Sequence, residues 1–87
     1  MTFVSRVSPD FWERYNALPS EVREQAEKAY RLFSSNPNHP SLGLKKAGPY
    51  WSARISIGYR VLGYRRGDEF FWFWIGPHDE YERLLKA

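Results

Sequence analysis

Apolar and polar residues alternate from Thr2 to Val7, with Phe3, Ser5 and Val7 opposite Val4 and Arg6, which predicts a short strand. Ser8-Pro9 then reads as a helix N-cap followed by proline at the first helical position. Phe11, Trp12, Tyr15 and Leu18 recur at helical spacing, so a short helix is expected near 9–17, broken by Leu18-Pro19-Ser20. A second helix follows, with Val22, Ala26, Ala29, Tyr30 and Phe33 on one stripe. Glu24–Lys28 and Glu27–Arg31 are i,i+4 pairs in the favoured acid-first order. Asn36-Pro37 closes this helix near Ser35, because the residue before proline avoids the helical region. Two antiparallel helices joined by a tight turn result.

Residues 36–49 form a loop-like stretch holding Pro37, Pro40, Pro49, Gly43 and Gly48, with a short extended piece at Leu42–Lys46. From Trp51 the period changes to 2: Trp51, Ala53, Ile55 and Ile57 alternate with Ser52, Arg54 and Ser56. Gly58 turns the chain, Tyr59–Arg66 forms the next strand, and Arg66-Gly67-Asp68 is a hairpin signal. Phe70–Ile75 is apolar on both faces and reads as the central strand, covered on both sides. Gly76-Pro77 ends it, and His78–Lys86 can form a last turn or two of helix with Tyr81, Leu84 and Leu85 on one side. The order is β, α, α, a three-stranded antiparallel meander and a C-terminal tail. The expected fold is α+β, an N-terminal strand and αα-hairpin packed on a small antiparallel sheet. The helices cover one sheet face and leave the other partly open to a ligand.

Eighty-seven residues suffice for one small domain, 1–87. An aromatic share of 18% implies a core built from large rings. The absence of cysteine excludes disulfides and zinc–thiolate sites. Two histidines and scattered carboxylates do not suggest a metal cage, so no cofactor is expected. The longest apolar run, Phe70–Gly76, is far short of the roughly 20 residues that cross a bilayer. The start of the chain has no signal-peptide pattern, so the expected location is cytoplasmic. A formal charge of +3 suits an acidic partner without requiring one.

The order of elements and several short motifs resemble the RelE/ParE superfamily of toxins from bacterial type II toxin–antitoxin modules. The resemblance runs through Leu18-Pro19, Asn36-Pro37, Pro40-Ser-Leu42, Lys45-Lys46, Tyr50-Trp-Ser-Ala-Arg-Ile55, Gly58-Tyr-Arg-Val61 and the ending Trp74-Ile-Gly-Pro-His-Asp-Glu-Tyr81. It implies one of two activities. RelE-like members are ribosome-dependent endoribonucleases that cut mRNA, whereas ParE-like members poison DNA gyrase without cutting RNA. A degenerate member would only bind its antitoxin. In each case a cognate antitoxin is the expected partner, alongside ribosome and mRNA, or gyrase in the alternative.

A nuclease of this kind uses the substrate 2′-hydroxyl as nucleophile, so the protein must handle protons and steady charge on phosphorus. Arginine suits phosphate oxygens, and histidine, with an ordinary pKa of about 6.5, suits proton transfer. By the resemblance, Arg60 matches an arginine that contacts the scissile phosphate. His78 matches a catalytic position just after the last-strand glycine. Tyr81 matches a nearby aromatic that stacks on a base or shares in proton transfer. Arg54, Lys45 and Lys46 are the expected RNA-binding residues. The chain departs from the pattern where RelE-like enzymes carry lysines on the strand occupied here by Trp51–Arg54. Trp72, Trp74, Phe71 and Phe73 are read as core, and His39 as an exposed loop residue.

Overall fold

The computed structural model describes residues 4–86, so the strand expected to begin at Thr2 is tested only from Val4, and Thr2 and Phe3 lie outside the described residues. The strand is β1 (Val4–Val7). Helix α1 (Pro9–Asn16) starts where the sequence places its cap: Ser8 Oγ accepts the Phe11 N–H at 3.2 Å, with Pro9 in the first turn. Such a cap contributes about 1 kcal/mol. Helix α2 (Ser20–Ser35) lacks a side-chain cap and is held by its stripe, Val22, Ala26 and Phe33, which is buried. Tyr30 departs from that stripe and stands 54% exposed. Glu27 accepts the Tyr15 hydroxyl at 3.3 Å, which ties α2 to α1. His39 caps a short 3-10 turn at Pro40–Leu42, its Nδ1 accepting the Ser41 N–H at 3.1 Å.

Strands β2 (Lys45–Ala47), β3 (Tyr50–Ser56), β4 (Tyr59–Arg66) and β5 (Glu69–Pro77) complete the sheet, and α3 (His78–Lys86) follows. The strand order is β1-β5-β4-β3-β2. The expected three-stranded meander is therefore the middle of a five-stranded sheet. Two corrections follow. The sheet is mixed, because β1 runs parallel to β5. Its central strand is β4, because β1 occupies the free edge of β5. The apolar character of β5 has the expected cause only in part, since both faces are covered around Trp74 and Ile75 but Phe71 stands exposed.

One face of the sheet packs beneath α1, which lies on β5, and α2, which lies on β3. Phe70, Trp72, Ile75, Val61 and Ala53 form the core there with Phe33, Ala26 and Leu42. Phe70 is fully buried, meeting Phe33 edge-on at 5.1 Å and stacking on Trp72 at 5.3 Å. Burial of one such ring stabilises by about 1.5–3 kcal/mol. Trp72 Nε1 donates to Ser5 Oγ at 2.9 Å, which fastens β1 to β5. A largely apolar cleft of about 650 Å³ remains between the two helices and the sheet, flanked by Trp12 and Tyr30.

The register between β4 and β5 jumps from Leu62↔Trp74 to Gly63↔Trp72, leaving Phe73 unpaired in a bulge. One inserted residue reverses the in-and-out alternation beyond it. Trp72 thus points to the helices, whereas Phe73 and Trp74 both join a second cluster on the opposite face with Leu62, Tyr81, Tyr50 and Leu85. Opposite the Trp72 ring, Gly63 leaves no space: a Cβ there would lie 2.6 Å from both the Phe71 carbonyl oxygen and that ring. Helix α3 covers only the middle of this second face.

Candidate nucleic-acid interface

Cross-strand partners share a face, so the register sorts the basic residues. Arg54 on β3 stands directly opposite Arg60 on β4, on the face away from α1 and α2. Like charges so placed repel. The guanidinium of Arg54 has no hydrogen-bond or ion-pair partner among the described residues. Lys45 pairs with Ser52 and shares this open face, but Lys46 pairs with Trp51 and projects to the other. The pleat thus separates the two neighbouring lysines, and only Lys45 joins the arginines.

Arg60 reaches back over the β3–β4 turn. Its Nη1 donates to the carbonyl oxygens of Ser56 at 2.6 Å, Tyr59 at 2.9 Å and Ile57 at 3.1 Å. Its Nε and Nη2 bond no described residue, which leaves N–H donors for an anion. Partial burial, then the neighbouring charge of Arg54, lower its pKa from the ordinary arginine value. Both influences disfavour the unaccompanied cation, and an anion bound between the two arginines would relieve both.

Arg60 pairs with Gly76 and Tyr59 with Pro77, so His78 begins α3 immediately beyond this pair of strands. Its backbone N–H donates to the Gly58 carbonyl at 2.8 Å, which fixes the start of α3 to the β3–β4 turn. The imidazole is accessible, with Nε2 3.2 Å from Glu82 Oε1 one helical turn on. Arg54, Arg60 and His78 are therefore gathered at one end of the open face. Tyr81 is placed differently from the expected stacking role. It is 4% exposed, packed beneath α3, and its hydroxyl donates to the buried Ser52 Oγ at 3.1 Å. Its ring lies 5.8 Å from that of His78. Tyr81 supports the histidine from below and has no face free for a base.

Two features escaped the sequence reading. Glu82 could have been found from its i,i+4 spacing to His78. The second is a group of rings at the far end of the open face. Tyr64 lies 5.0 Å from Phe73 and 5.2 Å from Tyr50, and Tyr50 lies 5.4 Å from Phe73. Tyr64 is 51% and Phe71 38% exposed, so Phe71 does not belong to the core. A hydrogen bond with Tyr50 raises the pKa of the Tyr64 phenol. Among the described residues no three His, Asp or Glu side chains come together as metal ligands. None of the described helices is long and apolar enough to cross a membrane.

No protein-family model and no curated protein sequence matches the chain. Solved structures do. A mutant of the E. coli toxin RelE in the free state superposes with a TM-score of 0.70 at 20% identity, covering 100% of this chain and 95% of that one. YafQ in the E. coli DinJ–YafQ toxin–antitoxin complex gives 0.68 at 8% identity, covering 92% and 97%. The archaeal RelE–RelB complex from Pyrococcus horikoshii OT3 gives 0.67 at 14%, covering 88% and 96%. At these identities the shared property is the fold, which is that of RelE/ParE-like toxins.

Proposed function

We propose, from the fold shared with RelE and YafQ toxins, that this chain is the toxin of a type II toxin–antitoxin module and a ribosome-dependent endoribonuclease. It would act in the cytoplasm, cut mRNA and so arrest translation. The observation that carries this reading is the direct apposition of Arg54 and Arg60 beside an accessible His78. Two facing cations are unfavourable alone and suit a phosphate. The substrate 2′-hydroxyl loses its proton to solvent as its oxygen forms a bond to phosphorus and the bond to the 5′-oxygen breaks, giving a cyclic phosphate and a 5′-hydroxyl end. Arg54 and the free donors of Arg60 stabilise the charge gathering on the phosphate oxygens. His78, oriented by Glu82 and starting in its protonated form, gives a proton to the leaving oxygen. Lys45 extends the positive surface, while Tyr81 positions His78. The partner would be an antitoxin, in keeping with the complexes of RelE with RelB and of YafQ with DinJ, and we place it on the open face.

A second reading draws support from the lysines. With Lys46 turned away, the open face has fewer cations than rRNA and mRNA binding favours. A ParE-like toxin that holds DNA gyrase and cuts nothing needs no such set. Induced expression in a bacterium, with pulse labelling of protein and DNA synthesis, separates the two. The nuclease reading expects translation to stop first, with mRNA cut inside reading frames and both effects lost in His78→Ala. Early loss of DNA synthesis with translation spared would replace it with the gyrase reading.

A further inference from the structure

We infer that the aromatic end of the open face is a stacking platform for single-stranded RNA, a site separate from the Arg54–Arg60–His78 end. The register lays Arg6 beside Phe71 and Phe71 beside Tyr64 across β1, β5 and β4. Tyr64 in turn touches Tyr50 on β3. Tyr64, Tyr50 and Phe73 therefore form a ring cluster, and Phe71 stands beside it in the register with Arg6 next along on β1. Phe73 reaches this cluster because the bulge displaces it to this face. Exposed rings of this size normally find a partner or a core. The charges around them select the partner. Arg6 and Arg66 share this end of the face, and Lys45 lies one row nearer Arg54 and Arg60. Glu69 stands directly opposite Arg66, and the other acids on this face, Asp79, Glu80 and Glu82, belong to α3. Rings set among cations match bases on a phosphate backbone better than they match an apolar peptide.

The two ends lie four residues apart along β4, from Arg60 to Tyr64, or about 13 Å. Tyr81 and α3 cover the Leu62–Trp74 row between them. A strand held at both ends would pass alongside α3, its bases seated on the rings while a phosphate lies at the arginines. The site deepens the nuclease reading by naming how the protein grips the message beyond the cleaved bond.

Fluorescence anisotropy of a labelled single-stranded oligoribonucleotide of mixed sequence tests the platform directly, without ribosomes. Tyr64→Ala and Phe71→Ala, both at exposed positions, should each weaken binding about tenfold, with circular dichroism unchanged. Tyr64→Phe should bind like the wild type. The dependence of affinity on salt should be unaltered by these ring variants, but shallower in Arg6→Ala and Arg66→Ala. RNA affinity unchanged in Tyr64→Ala and Phe71→Ala would overturn the proposal, even if antitoxin binding fell. So would a folded wild type that binds no RNA. Toxicity persisting in His78→Ala, with wild-type RNA binding still weakened in Tyr64→Ala and Phe71→Ala, would remove the nuclease reading and leave the platform standing.

Discussion

At Gly63 one methyl group decides whether β4 and β5 can meet. Its Cβ would strike the Phe71 carbonyl and the Trp72 ring at 2.6 Å, and neither can withdraw without disturbing the bulge. Gly63→Ala should destabilise by about 2–4 kcal/mol. Thermal denaturation would then fall by roughly 10 °C or more, and an unchanged Tm would refute the packing argument. Tyr81 makes the opposite case, because its ring matters more than its hydroxyl. Tyr81→Phe leaves the Ser52 hydroxyl without its partner and should cost about 1 kcal/mol, with toxicity retained. Loss of toxicity in a folded Tyr81→Phe protein would restore the phenol as a participant in the chemistry. The basic residues of the site were legible as residue types, and the period-2 rule could already have divided Lys45 from Lys46. The burial of Tyr81, which leaves no face for a base, depends on how α3 returns over Leu62 and Trp74, which local sequence does not encode.

Helices and meander strands follow their sequence patterns closely, since Ser8-Pro9, Pro19, Asn36-Pro37 and Gly67 are local signals. What the patterns omit is everything settled between distant segments. The parallel placement of β1 is one instance. The bulge at Phe73 is another, because a run of Phe and Trp has no polar residue to mark where the alternation reverses. The link between α1 and α2 can be tested at its Tyr15–Glu27 hydrogen bond. Burial, reinforced by the Glu27 carboxylate, holds the Tyr15 phenol above its ordinary pKa. A raised folded-state value stabilises the fold while the phenol is protonated in both states. That stability is lost as pH rises past about 10, where the unfolded tyrosine ionises, and on through the folded value. Thermal scans across that range should show a shallower alkaline decline for Tyr15→Phe than for the wild type. Identical slopes would mean the hydrogen bond contributes nothing to the linkage.

Across the whole molecule, the two sheet faces divide the work: the helix-covered face supplies the core, and the other supplies charge and exposed rings. The first described strand belongs to that core through the last. Ser5 and Trp72 are hydrogen-bonded partners 67 positions apart in sequence. Pairings at such separation form late, because a long loop must close before they contribute. Synthesis runs from the N-terminus, so α1 and α2 are made before Phe70 and Trp72 exist to receive them. Nascent chains stalled before residue 69 should be cleaved readily by protease, whereas the released protein should resist. Resistance in the stalled chains would mean that the helices fold without β5. The order of manufacture thus acts as a delay: no copy of the protein can assemble its arginine end or its ring platform until its message has been read through β5.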